Sequence, residues 1–223
     1  MINLNDQQSL FNIIGKKLKR KMSCFVIGGS AMMYYNAKTT TKDVGIVFDN
    51  KNDFDDFLKV LKEINFEPKN PEMLYPRKEN KPALMERGQE RIDIFCKEII
   101  CFKLSETMIN RVKMIYEYDN IIINVVSPED IILLKSATER AGDRIDAAEL
   151  IERFNIKWNI IVEEAMHQTE LDKPLFVVFL YEFLLELKDD FKADIPEDVL
   201  KELLRMSERE MVKRLKRKKG FVK

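Results

Sequence analysis

Apolar and polar residues follow two different periods along this chain. Leu10, Phe11, Ile13, Ile14 and Leu18 recur at helical spacing, which predicts an amphipathic helix over residues 5–21. The apolar run Cys24, Phe25, Val26, Ile27 is short enough for a buried strand. Gly28, Gly29 and Ser30 follow at once, and Ala31 to Tyr35 read as a short helix. A polar turn over 38–42 leads into a second strand over 43–48. Phe54, Phe57, Leu58, Leu61 and Ile64 mark a helix over 53–64, and residues 91–95 alternate as a third strand. Two more alternating runs, 111–118 and 121–126, flank Asp119 and Asn120 and predict a tight hairpin.

After Ser127 the strand period does not return. Ser127 followed by Pro128, Glu129 and Asp130 is a helix-start signal. Helices are expected over 128–141, 144–154, 157–169, 174–188 and 196–218. The expected class is therefore α+β: a mixed β-sheet flanked by helices, then an all-helical bundle, divided as 1–126 and 127–223. Between residues 67 and 90 lie four of the seven prolines, Pro68, Pro71, Pro76 and Pro82. Such a long stretch without periodicity carries function or hides short strands, here expected at 73–75 and 83–85. Its cations Arg77, Lys78, Lys81 and Arg87 are either nucleotide or acceptor contacts or solvated charges.

Composition narrows the picture little. The 45% hydrophobic content supports a substantial core, while 38 basic and 38 acidic side chains cancel, so net charge points to no nucleic-acid partner. Two basic runs, 16–21 and 213–219, read either as solvated helix ends or as polyanion contacts. Cys24, Cys96 and Cys101 sit in apolar runs without C-x-x-C spacing and read as reduced core residues. The lone histidine, His167, has no metal-ligating companion and reads as a helix-end or surface residue, and Trp158 as bundle core. The N-terminus lacks a secretory pattern, and the longest apolar segment, 174–187, carries Glu182 and Glu186 and is too short for a bilayer. The expectation is a cytoplasmic protein without a membrane partner.

The chemistry concentrates in residues 24–49. Glycines after a buried strand let backbone N–H groups approach a phosphate, the start of the next helix aims further N–H groups there, and Ser30 adds a hydroxyl. Geometry alone is an equally common reason for such glycines. Strand residues i and i+2 share a face, so an Asp-x-Asp pair at the second strand would set two carboxylates side by side for magnesium. Here the triplet is Asp43, Val44, Gly45, and a further acid, Asp93, lies in the strand over 91–95.

Gly28-Gly29-Ser30-Ala31, the run Thr41-Lys42-Asp43-Val44 and the later Arg91-Ile92-Asp93 together resemble the DNA polymerase β-like nucleotidyltransferase superfamily. The likeness covers about residues 20–155 and is nearest to its small prokaryotic branch of abortive-infection (type IV) toxins and minimal nucleotidyltransferases. Ser127 to Lys135, with Arg144, Ile145 and Asp146, is similar to the helical segment those proteins place after the sheet. The resemblance implies transfer of a nucleoside monophosphate from a nucleoside triphosphate such as ATP to a protein, RNA or small-molecule acceptor. It implies Mg2+ (or Mn2+) held by Asp43 and Asp93, with Asp93 helping to deprotonate the acceptor. Gly28, Gly29, Ser30 and Lys135 become the expected nucleotide-binding residues. Gly45 stands where the family has its second metal-binding Asp. The other class this leaves is a catalytically disabled binding or regulatory protein on the same fold, including a toxin–antitoxin component with a partner protein.

Overall fold

The computed structural model of the chain describes residues 1–220, with side chains through Lys216, so Arg217, Lys218 and Lys219 of the basic tail lie outside the described side chains. It forms two compact units, one of Met1–Ile100 with Leu104–Ile131, the other of Cys101–Lys103 with the chain from Ile132 onward.

The first unit runs β1 (Ile2–Asn3), α1 (Leu4–Lys17), β2 (Met22–Ile27), α2 (Gly28–Tyr34), β3 (Thr40–Thr41), β4 (Val44–Phe48), α3 (Lys51–Glu63) and β5 (Glu67–Lys69). A single 3-10 turn, Pro71–Met73, follows, then β6 (Ala83–Arg87), β7 (Glu90–Cys96) and β8 (Glu98–Ile99). Past β9 (Phe102–Lys103), which falls in the second unit, come α4 (Glu106–Asn110), β10 (Met114–Tyr118) and β11 (Ile121–Val125). The main sheet has the order β10-β11-β2-β4-β7-β6-β5. Its pairs β11/β2 and β4/β7 are parallel and the others along this path antiparallel, so the sheet is mixed. The three strands expected from the apolar runs are thus neighbours at its centre. Val26, Val44, Ile46, Val47, Ile92 and Ile94 there are fully buried, consistent with near-continuous apolar runs in strands covered on both faces.

Local chemistry sets the element ends. Asn3 and Asp6 form a reciprocal capping box at the start of α1, each side chain accepting from the other's backbone N–H at 3.0 Å. Asn50 caps α3 by accepting from the Asp53 N–H at 2.8 Å. Asp119, at φ 58, turns the β10–β11 hairpin. The strand expected at 73–75 is instead the 3-10 turn, because Pro71 follows Asn70, whose side chain accepts from the Glu72 N–H at 2.9 Å. The strand expected at 83–85 is β6.

In the second unit α5 (Pro128–Lys135), which begins in the first, is followed by α6 (Ala141–Arg153), α7 (Trp158–Glu170), α8 (Phe176–Phe191) and α9 (Glu197–Gly220). The helix expected over 128–141 stops at Lys135. There Ser136 Oγ donates to the Leu133 carbonyl at 2.7 Å and Thr138 Oγ1 to the Lys135 carbonyl at 3.4 Å, local bonds that compete with helix continuation. On α8, Phe176, Leu180, Phe183, Leu184 and Leu187 form one buried stripe. Phe102 packs edge-on against Phe176 with centroids 4.7 Å apart. Gln168 accepts from the Lys103 N–H (2.9 Å) and donates to its carbonyl (2.8 Å), serving that short segment as a strand neighbour would. Trp158 and His167 are half-buried, and His167 lies 3.2 Å from Glu170. Cys24 is buried, Cys96 and Cys101 half-buried, and none of the three is joined in a disulfide. No helix among the described residues is long and apolar enough to cross a membrane.

One buried ion pair ties the loop after α4 to the start of α5. Arg111 reaches Asp130 through Nε at 2.9 and 3.0 Å and through Nη2 at 2.6 Å, and the Asp130 side chain is fully buried. Removing the guanidinium would strand a buried carboxylate. Arg111→Met is expected to lower unfolding free energy by about 3 kcal/mol, read as a lower urea midpoint at unchanged m-value; a loss below about 1 kcal/mol would mean the pair is surface-like.

Candidate functional site

The site grows from the register at the centre of the sheet. Ile27, the last residue of β2, lies opposite Gly45 of β4, and Gly45 lies beside Asp93 of β7. The glycine turn after Ile27 and the acid on β7 are therefore brought to one row across three strands. Asp43, two residues before Gly45, stands at the entrance to β4. Asp43 and Asp93 converge closely enough for one guanidinium to serve both. Arg91 donates from Nε to Asp93 Oδ1 at 2.9 Å, and its Nη2 pairs with Asp43 Oδ2. The other oxygen of Asp93 accepts from the Tyr75 hydroxyl at 2.6 Å.

Burial gives this cluster its electrostatics. The Asp93 side chain is 3% exposed, against 18% for Arg91 and 24% for Asp43. Loss of solvent, then the neighbouring charge of Asp43, pushes the Asp93 carboxyl up to about 6, with Arg91 and the Tyr75 hydroxyl pulling the other way. Burial disfavours the charged guanidinium of Arg91, but Asp93 and Asp43 more than offset this and hold its pKa above the usual value.

The other expected site residues take defined places. Gly28 has φ +61, a left-handed conformation that glycine adopts without strain. Gly29 is in close approach to Thr41, since a Cβ there would lie 2.8 Å from the threonine Oγ1. The Ser30 hydroxyl is turned inward: it donates to the Asp43 carbonyl at 3.1 Å and accepts from the Gly45 N–H at 3.3 Å. It therefore ties the glycine turn to the start of β4. Lys135, in the second unit, is 4% exposed and bonds Asp143 at 2.8 Å and Asp146 at 2.7 Å. Of the cations in the proline-rich stretch, Lys81 pairs with Glu72, while Arg87 pairs with Glu90 at 2.8 Å and covers the Phe66 ring.

Two residues of the cluster were not marked in the sequence as site residues. Arg91 carried a usable signal, because residues two apart on a strand share a face and Arg91 stands two before Asp93. Tyr75 carried none. It reaches Asp93 because its loop folds back, with the Asn80 side chain donating to the Ile100 carbonyl at 2.9 Å and the Tyr75 ring edge-on to Phe95.

The donor set can be weighed against the divalent ion that the resemblance implies. Among the described residues no group of three or more His, Cys, Asp or Glu side chains is arranged to hold a metal. Two convergent carboxylates do suit one Mg2+, which takes one or two protein carboxylates and completes its shell with water and substrate phosphate. Position 45 adds nothing to that set, and a Cβ there would sit 3.2 Å from Ile27 Cγ1 and 3.3 Å from the Ile27 carbonyl oxygen. The residues thus fit one ion, on oxygens that Arg91 now holds.

A mixed central sheet and a strand–glycine turn–helix unit, with one acid just before β4 and one on β7, accord with the nucleotidyltransferase superfamily. Within it, residues 6–175 match the family described as "Nucleotidyltransferase of unknown function (DUF6036)", and the chain belongs to that family. Among solved structures, it is similar to that of ANT(2″)-Ia in complex with adenylyl-2″-tobramycin, at 13% identity and a TM-score of 0.40, over 81% of this chain and 98% of that one. Comparison with curated proteins finds no match.

The raised Asp93 value has a definite sign. Between its ordinary value of 3.8 and about 6, the folded protein holds a proton that the unfolded chain has released. The stability this contributes is fully present below pH 3.8 and is lost as pH rises through about 6. In chelator, wild type is expected to gain urea resistance relative to Asp93→Asn as pH is lowered from about 7 to about 5; a difference that does not change with pH would overturn the assignment.

Proposed function

We propose that this chain transfers a nucleoside monophosphate from a nucleoside triphosphate, ATP included, to a protein, RNA or small-molecule acceptor, with pyrophosphate as the leaving group. The observation that carries the reading is the convergence of Asp43 and Asp93 beside the Gly28-Gly29 turn, in a chain that belongs to a nucleotidyltransferase family. The backbone at Gly28 and Gly29 takes the triphosphate, and Ser30 fixes that turn to the strand bearing the acid. Asp43 and Asp93 would hold a Mg2+ or Mn2+ ion, and Asp93 would accept the acceptor's proton. The ion, when bound, supplies charge neutralisation at the α-phosphate and lowers the acceptor's pKa. Lys135 is assigned here to structure within the second unit rather than to phosphate, on the strength of its two carboxylate partners. Its place in this reading is with the small prokaryotic branch near abortive-infection toxins and minimal nucleotidyltransferases, in the cytoplasm.

A second reading has its own support in Gly45 and in the guanidinium that spans the two acids. A protein so built can act as a catalytically disabled binding or regulatory component, including one half of a toxin–antitoxin pair.

Gly45→Asp separates the two. Position 45 lies beside Asp93 of β7, and the crowding of a side chain there against the Ile27 carbonyl is expected to cost about 1–3 kcal/mol. For the enzyme, magnesium affinity rises and transfer of label from radioactive nucleoside triphosphates to a cell extract increases by orders of magnitude, with Asp43→Asn abolishing it. A lower melting temperature with no magnesium-dependent transfer in either protein would leave the disabled reading.

A further inference from the structure

Arg91 is the feature of this site that the transfer reading does not use. It is the cation that faces both acids, and it occupies one oxygen of each, while Tyr75 takes the second oxygen of Asp93. A guanidinium carries one positive charge, stays ionised, and presents its N–H groups in a planar fork that matches two carboxylate oxygens. Magnesium demands such oxygens at about 2.1 Å and in near-octahedral directions. A guanidinium and a divalent ion on the same carboxylates would stand a few ångströms apart and repel, so the two compete for the pair.

Two further features make the guanidinium displaceable rather than fixed. Its side chain is 18% exposed, so it has a route to solvent without unfolding β7. The cluster also lacks a third acid, since Gly45 lies in the row between Ile27 and Asp93. With two carboxylates, one guanidinium leaves a net charge of one negative, whereas one divalent ion would neutralise the pair completely.

We infer that Arg91 is a built-in counter-cation of the Asp43–Asp93 notch, which holds the acids together in the resting protein and must leave them when a divalent ion binds. Arg91 is then a positioning residue that sets metal affinity. This inference rests on the reading of the notch as the ion site.

Calorimetric titration of nucleotide-free protein with MgCl2 and MnCl2 tests it, using wild type, Arg91→Gln and Arg91→Lys. Arg91→Gln, which removes the competing charge, is expected to bind either ion about tenfold or more tightly, the equivalent of losing one charge-assisted hydrogen bond. Arg91→Lys restores a cation and is expected to return affinity toward the wild-type value, a rescue that a merely structural role would not give. Equal affinity in all three overturns the inference and leaves the ion site standing. Binding by none of them removes the ion site itself, and the inference with it. Should Arg91→Gln fail to fold, the wild-type Nε–H resonance of Arg91, assigned by its loss in Arg91→Lys, gives the same answer. It is expected to shift and lose protection from solvent exchange as magnesium is added, and an unmoved, protected resonance at saturating magnesium overturns the inference.

Discussion

Two ionised carboxylates in a half-buried notch repel one another unless a cation or a proton offsets their charge, and most of what surrounds Asp43 and Asp93 answers to that constraint. Asp93 sits in a central strand with almost no solvent to stabilise its charge. Arg91 meets the need from the same face of the same strand and reaches across to Asp43 before β4 begins. Once the acids are held, Asp93 can serve as an anchor in turn. Its second oxygen receives Tyr75 and so fastens the proline-rich loop over the edge of the sheet, while Asn80 fastens the far end of that loop to Ile100. A single charged contact thus links strand register, loop position and the protonation of the site.

Gly45 belongs to the same balance. The Ile27 carbonyl lies so near that a Cβ would require the strands to give by a few tenths of an ångström. Ser30 reinforces the closeness by bonding both the Gly45 N–H and the Asp43 carbonyl. A third carboxylate at this position would also add a charge that one guanidinium could not answer. Missing side chain, narrow strand spacing and resident arginine are therefore mutually consistent, and altering any one of them disturbs the other two.

What could be read from the sequence divides along physical lines. Apolar runs with their own period gave the three central strands and α1, α3, α7, α8 and α9 to within a few residues, because burial of a face is written into residue spacing. The strands that escaped notice lacked such spacing. β1 and β3 are two residues each, paired as Ile2 with Thr41 and Asn3 with Thr40. β5 contains Pro68, tolerated because the strand is at the edge of the sheet. The end of α5 depended on Ser136 and Thr138 choosing local carbonyls, and residue type alone does not reveal that choice. At the candidate site, Gly28-Gly29-Ser30, Asp43 and Asp93 are the residues the sequence singles out, and the strand order brings Ile27, Gly45 and Asp93 to one row with Asp43 just before it. Partners were not legible. Ser30 showed a hydroxyl but not that it turns inward, Lys135 an ammonium but not the two acids that hold it, and Tyr75 nothing that pointed to Asp93.

The consequence for chemistry is a question of competition rather than presence. A metal-binding pair of acids left bare would repel one another and weaken the fold that presents them, so an unfilled site normally costs stability. Here the cost is offset by a cation carried on the chain. The offset has a converse: whatever binds the acids must first replace hydrogen bonds from Arg91 and, at Asp93, compete with Tyr75 for the remaining oxygen. A hydrogen bond to a charged group is worth about 1.5–3 kcal/mol, so displacing one would weaken any competitor for these oxygens by roughly one to two orders of magnitude. The resident guanidinium therefore keeps the two acids paired without help from any ion.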